Sequence, residues 1–164
     1  MPVKENVIAL VRHADGTVTR YKAHNIVTNE GDKYYAQKAC GETPTYAFAN
    51  LVLGSTATPS TGKTSTYASI TAIASTSKAK SSGYPKTNDD DANNTGAGVD
   101  IVTWKHAYSA GDFTAASVTE GVITTSGASG TDPVLNHFAF ASGFAITATD
   151  ALTVFVNHEM SGSA

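Results

Sequence analysis

Cysteine occurs once, at Cys40, so no intrachain disulfide can staple this chain. Charge is nearly as scarce: only 15% of residues are Asp, Glu, Lys or Arg, and 11 Lys plus Arg face 14 Asp plus Glu for a formal −3. With no basic stretch, nucleic acid is not an expected partner. No run approaches the roughly 18 apolar residues of a membrane span, so no membrane is expected either. Met1-Pro-Val-Lys-Glu-Asn6 lacks the apolar centre of a signal peptide, and synthesis in a cytoplasm is the expectation. No Gly-x-Ser-x-Gly elbow is present and Cys40 has no visible activating neighbour, so neither hydrolase nor thiol chemistry is expected.

Small residues fill the gap. Ala, Thr, Ser and Gly make up roughly half the chain, a strong departure from ordinary globular usage. The 164 residues suit one domain able to bury roughly 70% of its unfolded surface. Residues 1–164 are therefore read as a single domain with a short N-terminal arm (1–6) and polar loops at 54–66 and 88–98.

Val7-Ile-Ala-Leu-Val11 and Thr17 to Tyr21 flank Asp15-Gly16, a hairpin whose turn residues supply positive backbone angles and whose second strand runs on to Ile26 or Val27. Asn29 is expected to cap a helix near residues 30–40, with Asp32 in a capping-box role and Gly41 as its left-handed stop. Tyr35, Ala36, Ala39 and Cys40 would then share the face laid on a sheet, making Cys40 core filler. Further strands are read at Phe48 to Leu53, Val99 to Tyr108, Val118 to Thr125, Val134 to Phe140 and Leu152 to Glu159, the last two as an antiparallel pair. Lys78 to Tyr84 reads as an extended edge segment ended by Pro85, and Tyr67 to Ser77 fits helix and strand equally well. The fold class is all-β: an antiparallel β-sandwich or barrel with one short α-helix.

Three patterns invite a chemical reading. Ala57-Thr-Pro-Ser-Thr-Gly-Lys-Thr64 loosely matches a phosphate-binding loop, but Pro59 removes an amide and Ser65-Thr66-Tyr67 is a poor helix start. Asp89, Asp91, Asn93, Thr95 and Asp100 stand at the alternate positions of a calcium loop, with Asn94 where Gly is wanted. A solvated acidic loop is the plainer reading, with calcium as the alternative cofactor. His13, His24, His106, His137 and His158 show no metal-motif spacing, and His106 and His158 read as satisfied sheet histidines. No catalytic or cofactor-binding residue is expected.

Asn25-Ile-Val-Thr-Asn-Glu-Gly31, Leu51-Val-Leu-Gly-Ser55 and the closing Ala148-Thr-Asp-Ala-Leu-Thr-Val-Phe-Val156 together resemble small structural proteins of tailed bacteriophages, over about half the chain. The resemblance implies a non-enzymatic virion protein of the capsid decoration (cement) type, bound to the major capsid protein or other virion proteins. Homo-oligomerisation, as a trimer, is part of that expectation. The alternative is a head-tail accessory or tail-fibre or tail-tip module binding a host receptor, with Tyr84, Trp104 and Tyr108 as aromatic platforms. A nucleotide-binding role through the 57–64 loop is the remote third.

Overall fold

Alternation sets the strands. Val7, Ala9 and Val11 point to one side of β1 (Glu5–Arg12), and Leu152, Val154 and Val156 to the same side of β8 (Ala151–Glu159). In the computed structural model, which describes residues 5–160, these join β2 (Val18–Val27), β3 (Asn50–Gly54), β4 (Lys78–Ala79), β5 (Ile101–Tyr108), β6 (Ala115–Thr124) and β7 (Val134–Ile146). All pairings are antiparallel, in the order β4-β3-β6-β7-β2-β1-β8-β5.

The two ends of this sheet meet. The Ser81 N–H donates to Lys105 O at 2.7 Å, and Lys86 and Thr103 exchange N–H···O bonds of 3.1 and 2.8 Å. The result is a nearly closed barrel with one helix, so the all-β expectation holds. Two expectations change. The Lys78 to Tyr84 segment, read as a sheet edge, instead lies in this seam, where Ser81 meets β5. The last two strands are also not partners: β7 pairs with β6 and β2, while β8 pairs with β1 and β5. The β1–β2 hairpin inserts between them, as in a Greek key.

The hairpin turn is closed by Gly16 N–H to His13 O at 2.9 Å, and only Gly16 has the positive angle (φ 85). Asp15 does not supply one; its carboxylate accepts from the Thr17 N–H and hydroxyl. Glu5 already pairs with His24 within β1, which removes residues 5 and 6 from the expected arm; residues 1–4 lie outside the described residues.

Helix α1 (Asn29–Ala39) starts one residue earlier than expected. Thr28, not Asn29, is the cap: its Oγ1 accepts from Gly31 N–H at 3.0 Å and donates to Val134 O at 2.5 Å. Asp32 bonds Lys63 at 2.7 Å rather than closing a capping box. The stop is as expected: Gly41 (φ 71) and Glu42 donate to Lys38 and Gln37 carbonyls at 3.1 and 2.9 Å, a Schellman arrangement. The buried face is Gly31 and Tyr34, with Tyr35 half-buried; Ala36, Ala39 and Cys40 are exposed. Cys40 is therefore not core filler, because the docked face is turned toward Phe48 and Trp104, which Tyr34 meets at 5.5 and 6.1 Å.

The main core combines the inward residues of β1, β3, β5, β6, β7 and β8 with Tyr34 and Phe48, and Trp104, Phe138 and Leu51 are fully buried. A second, small cluster of Val52, Ile70, Val122 and Val134, with Tyr67 against it, lies apart from that core. It places residues 55–77, including a single 3-10 turn at Tyr67–Ser69, over β3 and β6. This resolves the ambiguous stretch as a loop packed onto the barrel wall. Of the Lys78 to Tyr84 segment, only Lys78–Ala79 is strand, and the Tyr84–Pro85 bond is cis.

Candidate functional site

Two buried polar clusters hold the two long loops against the barrel. The first belongs to the acidic segment. Asp89 is buried and accepts from Tyr84 Oη at 2.7 Å and Asn94 Nδ2 at 2.9 Å, with Lys86 Nζ 3.5 Å away. Asn94 also donates to Asn157 Oδ1 at 3.0 Å, and its own Oδ1 accepts from Asn157 Nδ2 at 2.9 Å. Thr103 completes the group by donating to Asn157 Oδ1 at 2.7 Å.

This segment is thus not simply a solvated loop. Nor does it gather its candidate calcium ligands at one point. Asp91 turns to Lys105 at 2.9 Å, Asn93 O and Thr95 Oγ1 accept from Arg20, and Asp100 is exposed. Burial raises Asp89, but hydrogen bonds from Asn94 and Tyr84 outweigh it and leave its carboxyl below the usual range. Among the described residues no cluster of three or more His, Cys, Asp or Glu side chains could hold a metal.

The second cluster was not visible in the sequence. Glu120 on β6 and His137 on β7 are both fully buried, and Oε1 meets Nε2 at 2.8 Å. Glu120 Oε2 accepts from the Thr56 N–H at 2.9 Å, and His137 Nδ1 meets Ser65 Oγ at 2.9 Å. With the Ser65 hydroxyl donating to Nδ1, the ring proton sits on Nε2 and faces the carboxylate. Burial pushes the Glu120 carboxyl up, yet the bonds from His137 and Thr56 more than compensate and keep it low and ionised. Gly54 leaves the space that this carboxylate occupies, since a Cβ there would lie 2.6 Å from Glu120 Cγ.

Ser65 also lines an open cleft of about 300 Å³ beside the start of α1, shared with Asn29, Glu30, Tyr46, Lys63 and Thr131. This is where the 57–64 loop ends, and its geometry is not that of a phosphate cradle. Lys63 pairs with Asp32 and no α-helix opens at Gly62-Lys63-Thr64. The amides of Asn29, Gly31 and Asp32 already donate to Lys63 O, Thr28 Oγ1 and Thr28 O.

The remaining expectations fall on buried residues. Trp104, Tyr108 and Tyr84 are 0%, 3% and 9% exposed, which removes the anticipated aromatic platform. His106 Nδ1 meets Lys78 O at 2.9 Å, and His158 Nδ1 meets the Tyr35 hydroxyl, which accepts from Trp104 Nε1 at 2.8 Å. Both rings keep a buried Nε2 without a partner among the described residues, so they are only half satisfied there. His13 joins Asp150 and Thr19, and His24 is exposed. Among the described residues no helix is long and apolar enough to cross a membrane.

Ser65, Glu120 and His137 escaped the sequence reading because 72 and 17 residues separate them along the chain. The available signal was an acid and an imidazole set within two apolar strands, where burial demands a partner. No protein family, curated protein or solved structure matches this chain.

Proposed function

We propose that this chain is a virion structural protein of the tailed-bacteriophage kind, most closely a capsid decoration protein that binds the assembled shell. The observation that carries this reading is the use made of its most distinctive motif. Within Asn25 to Gly31, Thr28 joins helix and strand through Val134 O, and Gly31 lets α1 approach Leu135 O so closely that a Cβ would lie 2.0 Å away. The motif that resembles phage structural proteins is therefore architectural.

A low-charge barrel suits repeated docking on a symmetric particle. Each contact can be weak, because binding only the assembled state stabilises it and many copies act together. With the sheet ends meeting at the seam, contact falls to the surface side chains. Val99 and Met160 are exposed apolar residues, 75% and 44% accessible, on two segments joined by the Met160 N–H, which donates to Asp100 O at 2.8 Å. The partner is the major capsid protein or a neighbouring virion protein, and a homotrimer is the assembly proposed. The head-tail or tail-module alternative uses the same surface without the shell.

Electron microscopy of particles carrying this chain tests the proposal. Periodic density over the shell is the expected result; density confined to neck or tail favours the alternative, and a chain absent from purified particles rejects both. Val99→Asp should weaken particle retention at least about tenfold without shifting the melting temperature.

A further inference from the structure

We infer that Ser65 is a nucleophile for acyl transfer, with short-chain esters carried on polyhydroxylated, sugar-like molecules as its substrate class. This goes beyond the particle-binding role and does not depend on it. A serine hydroxyl is a poor nucleophile until a base takes its proton and a third group orients that base. Here His137 Nδ1 lies 2.9 Å from Ser65 Oγ, and Glu120 holds the far ring nitrogen at 2.8 Å. The Thr56 N–H fixes the other Glu120 oxygen at 2.9 Å, so each member is positioned by the next.

The ring nitrogens serve in the opposite order from a serine-protease triad, with the nucleophile on Nδ1. Either imidazole nitrogen can carry the proton, and such constellations are defined by geometry and role. Glu120 and His137 are 0% exposed, so the carboxylate charge acts on the ring with little screening. Ser65 lines the cleft while both partners lie behind it. The Gly62 N–H, 3.1 Å from Ser65 Oγ, stabilises negative charge developing on that oxygen.

The reaction balances with water as the second substrate. His137 Nδ1 takes the Ser65 proton as Oγ bonds to the ester carbonyl carbon; the imidazolium faces the Glu120 carboxylate. Collapse breaks the bond to the alcohol oxygen, which leaves with the proton from Nδ1, and Ser65 is acylated. Water then attacks the acyl carbon, gives its proton to Nδ1, and the acid departs as the proton returns to Oγ. Asn29 and Lys63 line the same cleft, but the Asn29 N–H already donates to Lys63 O and the Lys63 ammonium pairs with Asp32, so the oxyanion would draw on Lys63 only after it leaves Asp32.

Cleft chemistry sets the substrate. A volume of about 300 Å³ bordered by Thr28, Thr64 and Thr131 with one aromatic wall, Tyr46, accommodates a short acyl group and a sugar ring and is too small to enclose a long acyl chain as well.

The test uses the full chain with a fluorophosphonate probe, p-nitrophenyl acetate and p-nitrophenyl palmitate. Peptide mass spectrometry should place one fluorophosphonate adduct on Ser65 in folded protein and none in urea-unfolded protein. Acetate ester turnover should fall at least about 100-fold in Ser65→Ala, with the palmitate ester a poor substrate in wild type. An unlabelled Ser65 in wild-type protein, or turnover unchanged in Ser65→Ala, overturns the proposal and leaves the cluster as a loop fastener. Preference for palmitate overturns the substrate class. Labelling of the wild type needs no variant to fold.

Discussion

Gly31 carries a constraint that helix propensity alone would hide. Ala in a helix interior is favoured over Gly by about 1 kcal/mol, yet a Cβ at Gly31 would meet Leu135 O at 2.0 Å and Val27 Cγ1 at 2.7 Å. The first of these is backbone and cannot step aside. Gly31→Ala should therefore destabilise by about 2 kcal/mol or more, read as a lowered denaturant midpoint with unchanged slope. A neutral or stabilising result would mean that α1 does not dock closely on β7. Two imidazoles set a second expectation at this scale. Burial depresses His158 to about 3 and His106 to about 4, whereas an unfolded histidine titrates near 6.5. Between these values the unfolded chain binds the extra protons, so stability rises with pH and is lost as pH falls from about 6.5 toward 4 and then 3. Each tenfold change in proton affinity is worth about 1.4 kcal/mol, so the two rings together cost at most several kcal/mol. Below about 4 the carboxyls of Asp89, Asp91 and Glu120, all held low in the folded chain, add to the loss. Denaturant midpoints at pH 7, 5.5 and 4 check the trend. Imidazole NMR should show His106 and His158 still neutral at pH 5.

At the scale of elements, most strands were legible because alternation of apolar and polar residues is a local property. The helix position was legible to within one residue. Thr28 and Asn29 are comparable caps in isolation, and the choice between them is made by Val134 O, 106 residues away in sequence. The loops were least legible. A run such as Asp89-Asp-Asp91 looks solvated until Tyr84 and Asn94, itself held by Asn157, supply the partners that bury Asp89 while Asp90 stays exposed. Its carboxylates are matched by Lys86, Lys105 and hydrogen-bond donors, which leaves little drive for calcium. Adding calcium or EDTA should each move the melting temperature by less than about 1 °C, whereas Asn94→Ala should cost about 2 kcal/mol by taking one donor from Asp89 and leaving Asn157 Nδ2 without its acceptor. A calcium-dependent rise of several degrees would restore the ligand reading of Asp89, Asp91, Asn93, Thr95 and Asp100. The Ser65–His137–Glu120 relay was illegible for a related reason: its members lie on a loop and two strands, and only folding sets their distances.

The whole molecule depends on a topology that no local pattern specifies. β7 and β8 follow one another with a short connection and matching apolar faces, so a hairpin was the natural reading; the β1–β2 pair instead separates them. That arrangement lets a 13-residue β7 serve two long neighbours, and it leaves the barrel with one weak line. β4 has two residues and pairs with β3 at only Asn50↔Ala79 and Leu51↔Lys78, while its approach to β5 relies on a few bonds from Ser81 and Lys86. The belt β6-β7-β2-β1-β8 has ladders of five or more paired residues on both sides of its inner strands, although β6–β7 is interrupted by register shifts. Local opening should therefore begin at the seam, since regions with few backbone bonds open well below the global unfolding free energy. In native-state hydrogen exchange, the amides of Lys80, Ser81, Lys86 and Thr103 should exchange at least about 100-fold faster than those of Ala9, Val154 and Phe138. Adding low denaturant should accelerate the second group alone, because only its exchange requires exposing the core. Uniform protection across both groups would mean that the seam is as strong as the belt and that the barrel opens only as one unit.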